Sequence, residues 1–171
     1  FIDIGWSCSR YSSAGRISFD DASLRRIHEK RENKRPYRSV MAIHLKSPAE
    51  IELMRESCRI VSDVIKLVGT QIKPGVSTAQ LDMIAEDYIR SCKAEPAFKG
   101  YGSDPKNLFP ATLCISVDSE VVHGIPGKRE IREGDLIGVD CGVILDGYHS
   151  DMAKTFYVGD TPPREIEKLI T

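Results

Sequence analysis

The sequence predicts an α+β fold, with helices first and antiparallel strands after them. Two helix-start signatures, at Ser47 and at Ser77 or Thr78, each precede apolar residues at helical spacing. Beyond a Gly- and Pro-rich stretch the period changes to that of strands. There, Asp146-Gly147 separates two longer strand-like runs.

Each element follows from local chemistry. Ser47, Pro48 and Glu50 stand at N-cap, N1 and N3, a capping box with proline where its missing N–H costs nothing. Ile51, Met54, Cys58, Val61, Ile65 and Val68 then predict an amphipathic helix to about Leu67. Lys73-Pro74-Gly75 breaks it. A second helix carries Leu81, Ile84, Ala85, Tyr88 and Ile89. Residues 95–110, with Gly100-Tyr101-Gly102 and Asp104-Pro105, read as loop. Thr112 to Val117 and Glu120 to His123 read as short strands, and Leu136–Leu145 and Tyr148–Val158 as longer ones.

Composition narrows the function classes. The 171 residues are 41% hydrophobic and 29% charged, enough for a real core. The longest apolar run, Leu136–Leu145, is interrupted by Asp140 and falls short of the ~18 residues of a membrane span. Residues 41–171 hold 15 basic against 20 acidic side chains, which argues against nucleic-acid binding by the domain. Five cysteines without a Cys-x-x-Cys pair point to reduced thiols and a cytoplasmic protein. Residues 1–40 hold nine Lys and Arg against five Asp and Glu, and read as a basic, disordered extension. An organelle presequence, or a true start at Met41, are the other readings.

With Asp146-Gly147 as a two-residue loop, Leu145 faces Tyr148, Asp140 faces Ala153 and Asp151 faces Gly142. Side chains alternate, so Asp140, Gly142 and Asp151 share a face, the two aspartates about 7–8 Å apart on the diagonal. Two such carboxylates can enclose metal ions ~3.5–4 Å apart. The other reading is the wet side of a half-buried sheet. His149 lies on the face of Asp151, so Asp140, His149 and Asp151 form a minimal metal set. His123, before Gly124-Ile125-Pro126, is structural or catalytic. Tyr101, Phe109 and Cys114 are candidates to line a small apolar pocket.

These residues resemble a known family. Residues 41–171 look like the N-terminal half of a type I methionine aminopeptidase. The likeness is carried by Lys46-Ser47-Pro48-Ala49-Glu50-Ile51, Lys73-Pro74-Gly75-Val76-Ser77-Thr78, Cys114-Ile115-Ser116-Val117, Glu120-Val121-Val122-His123-Gly124-Ile125-Pro126, Gly134-Asp135, Val139-Asp140 and Asp146-Gly147-Tyr148-His149-Ser150-Asp151. The resemblance implies a pita-bread fold and removal of the initiator methionine by a water activated on two divalent metal ions (Co, Mn, Fe or Zn). It implies that Asp140 chelates one ion, that Asp151 bridges both, and that His123 hydrogen-bonds substrate near the scissile amide. It places Tyr101, Phe109 and Cys114 in a methionine pocket, with Phe98 a looser match. Asp118 stands where the family often has asparagine. Partners would be N-terminal methionyl peptides and nascent proteins, with no membrane or nucleic acid involved. One His and two Glu ligands would come from a C-terminal half beyond Thr171, so the chain alone would lack turnover. A pita-bread Xaa-Pro peptidase and a catalytically dead binding module of the same fold are the alternatives.

Overall fold

A computed structural model describes residues 45–170. The expectations for residues 1–40 and for a start at Met41 lie outside the described residues. Helix α1 (Pro48–Gln71) begins at the anticipated box, with Ser47 Oγ accepting from Glu50 N and Glu50 Oε2 accepting from Ser47 N at 2.8 Å. It runs four residues past Leu67, with Val68 fully buried and Gly69 seating the Phe156 ring, which a Cβ there would strike. Helix α2 (Thr78–Ser91) is capped by Ser77, whose amide donates to Gln80 Oε1 at 2.8 Å. Its Leu81, Ala85 and Ile89 are fully buried.

Four antiparallel strands follow: β1 (Glu95–Pro96), β2 (Leu113–Val117), β3 (Leu136–Leu145) and β4 (Tyr148–Tyr157). A short helix α3 (Arg164–Ile170) closes the described region. β4 pairs with β3 along its whole length, while β2 and then β1 pair with it elsewhere. The hairpin has the expected register, Leu145 opposite Tyr148. Asp146 and Gly147 both take positive φ, 50° and 78°, as that turn requires.

Two local readings are corrected. Glu120–His123 is not a strand, because Asp118, Val122 and His123 take φ of 56°, 40° and 56° and turn the chain away from the sheet. Residues 95–110 are not wholly loop, since Glu95–Pro96 pairs with Ile144 and Val143. Pro96 fits there because a two-residue edge strand can spare its missing donor.

One face of the sheet is dry. Ile137, Val139, Cys141 and Val143 of β3 join Val64, Val68 and Leu81 in the core. Ser57 on α1 is hydrogen-bonded to Ser150 on β4, Oγ to Oγ at 2.8 Å, fixing the ribbon to the helix. By strand alternation, residues 138, 140 and 142 point the other way.

Candidate metal centre

The register that buries Val143 and Ser150 against α1 turns Gly142 and Asp151 to the opposite face, beside Asp140. The two aspartates converge there. Asp140 is half-buried, and its Oδ1 is buried without a hydrogen-bond partner. Burial, then the charge of Asp151 and a hydrogen bond between the two carboxyls, push the Asp140 carboxyl above the usual carboxylate range. The neighbouring His123 opposes this. Two carboxylates crowded together around an orphaned oxygen are an unfavourable arrangement that a cation relieves. The donor set fits a hard or borderline divalent ion.

Among the described residues, no group of three or more His, Cys, Asp or Glu lies where it could hold a metal ion. The three-membered set with His149 is therefore not assembled. His149 shares the strand face of Asp151, but it stands opposite Ile144 near the turn and is exposed.

Cys114 stands directly across from Asp140 and is buried. Burial, then the charges of Asp140, Asp151 and Asp82, push its thiol up to about 11. It therefore presents a neutral thiol beside the carboxylates. Phe98 packs over Gly142, where a Cβ would fall 2.7 Å from its ring. Lys99 ties this segment to α2 through Glu86 at 2.6 Å. Phe109 is half-buried, and its amide donates to Tyr101 O at 2.9 Å. Tyr101 is 77% exposed, so of the three pocket residues expected it is the one not enclosed.

His123 reaches the centre by another route. Gly124 O accepts from Ile115 N at 2.8 Å, placing the histidine beside the strand position next to Cys114. His123 is exposed and near enough to influence the Asp140 carboxyl.

Sequence reasoning missed Asp82. It is half-buried on α2, and its Oδ1 accepts from Thr112 N at 3.0 Å and Leu113 N at 2.7 Å, setting the start of β2. The polar position beside the buried Leu81 of α2 was the available signal.

Residues 52–171 match Metallopeptidase family M24. The chain belongs to that family. It is 47% identical over 129 residues to a methionine aminopeptidase of Clostridium perfringens, covering 75% of this chain and 49% of that one. The crystal structure of a Thermotoga maritima methionine aminopeptidase superposes with a TM-score of 0.69 at 32% identity, over 75% of this chain and 50% of that one. A prolidase from Pyrococcus furiosus superposes at 0.61 with 24% identity, over 72% of this chain and 34% of that one, a likeness of fold alone. The fold is thus the α+β pita-bread fold, and this M24 chain spans about half the length of the curated relatives it matches. Among the described residues, no helix is long and apolar enough to cross a membrane.

Proposed function

We propose that this M24 protein is a methionine aminopeptidase, releasing the N-terminal methionine of nascent chains in the cytoplasm with two divalent metal ions. The carrying observation is the convergence of Asp140 and Asp151 on one face of the hairpin, with Asp140 Oδ1 left unsatisfied. The sequence likeness to methionine aminopeptidases supports the choice of substrate over a Xaa-Pro peptide, since the prolidase likeness is of fold alone. Keeping both carboxylates argues against a catalytically dead module.

Asp140 and Asp151 are the residues of this chain that would hold the divalent ions, Asp151 being the one that the resemblance would have shared between them. Bound divalent ions supply Lewis acidity and a water acidified to near-neutral pKa. A mainly carboxylate set suits Mn, Fe or Co at least as well as Zn. His123 donates a hydrogen bond to the substrate oxygen as negative charge develops there. Cys114, buried opposite Asp140, offers a soft wall to the methionine thioether with Phe98 and Phe109. Tyr101, 77% exposed, is assigned to the outer edge of that wall.

The remaining ligands, one His and two Glu by resemblance, would come from the part of the relatives' length that this chain does not span. The free thiols of Cys58, Cys114 and Cys141 support a reducing compartment. The weakly acidic domain supports peptides rather than nucleic acid as partner.

The test is hydrolysis of a Met-Ala peptide with Co or Mn, by the chain alone and with the C-terminal segment of the Clostridium perfringens relative supplied in trans. Turnover only in the mixture, lost in Asp151→Asn, is expected. Turnover that survives Asp151→Asn rejects the reading, and cleavage of a Xaa-Pro peptide instead transfers it to the rival.

A further inference from the structure

The loop that carries His123 is under backbone strain. Val122 and His123 sit at φ of 40° and 56°. A β-branched residue enters that region only when its surroundings enforce it. Two sets of contacts do so. Near the apex, Gly124 is laced to β2, its amide donating to Ser116 Oγ at 3.2 Å and its carbonyl accepting from Ile115 N at 2.8 Å. A Cβ at Gly124 would collide with the Ile115 carbonyl, so only glycine lets the loop lie this close. At the base, Arg129 reaches across the loop. One guanidinium nitrogen donates to Asp118 at 3.0 Å and another to Glu120 at 3.2 Å.

Both carboxylates are already committed to the sheet. Asp118 Oδ1 accepts from Leu136 N at 3.0 Å, and Glu120 Oε2 accepts from Val117 N at 2.9 Å. Arg129 is itself fixed to the N-terminus of α2, its carbonyl accepting from Thr78 N at 3.0 Å, while Gly127 O accepts from Ala79 N at 3.0 Å. The guanidinium thus joins the β2 end and the β3 start to the far end of the loop.

We propose that Arg129 is a positioning residue for His123: by pairing with Asp118 and Glu120 it closes loop 118–129 at its base and holds the strained Val122–His123 apex beside Asp140. The inference rests on the reading of His123 as the group that meets the scissile amide. Arginine suits the task because one planar fork serves two carboxylates at once. Its side chain is 45% exposed, so each ion pair is weak as a source of stability and the role is geometric. Lys128 and Arg132, lining the same cleft, form no ion pair among the described residues.

The test uses the full 171-residue chain. In Arg129→Gln the His123 ring is followed by proton–carbon NMR and the loop by amide hydrogen exchange. Arg132→Gln, which removes the same charge from the same cleft, is the control. Arg129→Gln is expected to shift and broaden the His123 ring signals and to raise exchange at the Gly124 and Ile115 amides roughly tenfold. Its melting temperature should stay within about 2 °C of the parent, while Arg132→Gln moves nothing. About 1 M salt should bring the parent toward Arg129→Gln without changing that variant further. Should Arg129→Gln melt much lower, Asp118→Asn decides instead, since it keeps the acceptor for Leu136 N and removes one ion pair. Unmoved His123 signals in the deciding variant, or equal effects in Arg132→Gln, overturn the proposal. None of these readouts involves hydrolysis, so failure of the peptidase reading would show separately, as a well-placed His123 without turnover.

Discussion

Asp151 stands opposite Gly142 across the β3–β4 ribbon, two residues along from Asp140 on the same face. That offset is inherited from a turn in which Asp146 and Gly147 both hold positive φ. Gly147, at 78°, is the position where a side chain is least tolerated. Gly147→Val should therefore cost about 1–2 kcal/mol, read as a lowered urea midpoint. It should also weaken Mn binding, because the turn sets the register of both carboxylates. An unchanged midpoint would show that the turn does not set the register.

Asp82 offers a sharper comparison. One oxygen, Oδ1, takes both the Thr112 and Leu113 amides, so Asp82→Ala leaves two donors without their acceptor and should cost about 1–3 kcal/mol. Asp82→Asn keeps an oxygen there. Burial, the largest influence, holds the Asp82 carboxyl above its ordinary 3.8, with the two amides opposing. A raised acid binds its proton more tightly in the folded state, so the parent should lose stability as pH rises from the ordinary value through the raised one, then level off. Asp82→Asn should show a shallower decline, the part that remains coming from the raised Asp140 carboxyl. Urea midpoints across this acid range compare the three proteins, and an Asp82→Asn curve as steep as the parent's would contradict the assignment.

The hairpin was legible because its information is local: a two-residue turn and a strict alternation of period two fix which residues share a face. The helices were legible for the same reason, down to the reciprocal bonds of Ser47 with Glu50 and Ser77 with Gln80. Residues 118–129 were not. Val121-Val122 has the composition of a strand, but Asp118 and Glu120 bond to backbone amides of Leu136 and Val117, and Arg129 binds both carboxylates. Those are tertiary contacts, invisible to periodicity. Asp118 tolerates φ of 56°, as its short polar side chain allows, and adds a charge for Arg129. Phe98 gives no local signal for a similar reason, since its seat on Gly142 is a tertiary contact.

A divalent cation should stabilise the folded chain even without turnover, because it relieves the crowding of Asp140 by Asp151. At tenfold excess over its dissociation constant, Mn should add about 1.4 kcal/mol, or roughly 3–6 °C in melting temperature for a chain of this size. Chelator should reverse the gain. Asp151→Asn should abolish it, with the chelated variant melting no lower than the chelated parent, since one source of repulsion is gone. Equal gains in both proteins would place the cation elsewhere.

The same two aspartates should protect a thiol. Cys114 faces Asp140, and burial first, then the negative charges around it, raise it to about 11. At pH 8 only about one thiol in a thousand would then be thiolate, the form that alkylates. Cys58 is exposed on α1. Iodoacetamide at that pH should label Cys58 long before Cys114, measured by peptide mass spectrometry over time. Asp151→Asn should quicken Cys114 by less than about tenfold, because burial outweighs the charge and the substitution leaves the burial in place. Labelling of Cys114 as fast as Cys58 in the parent would mean that the face carrying the carboxylates is open where Cys114 is found buried.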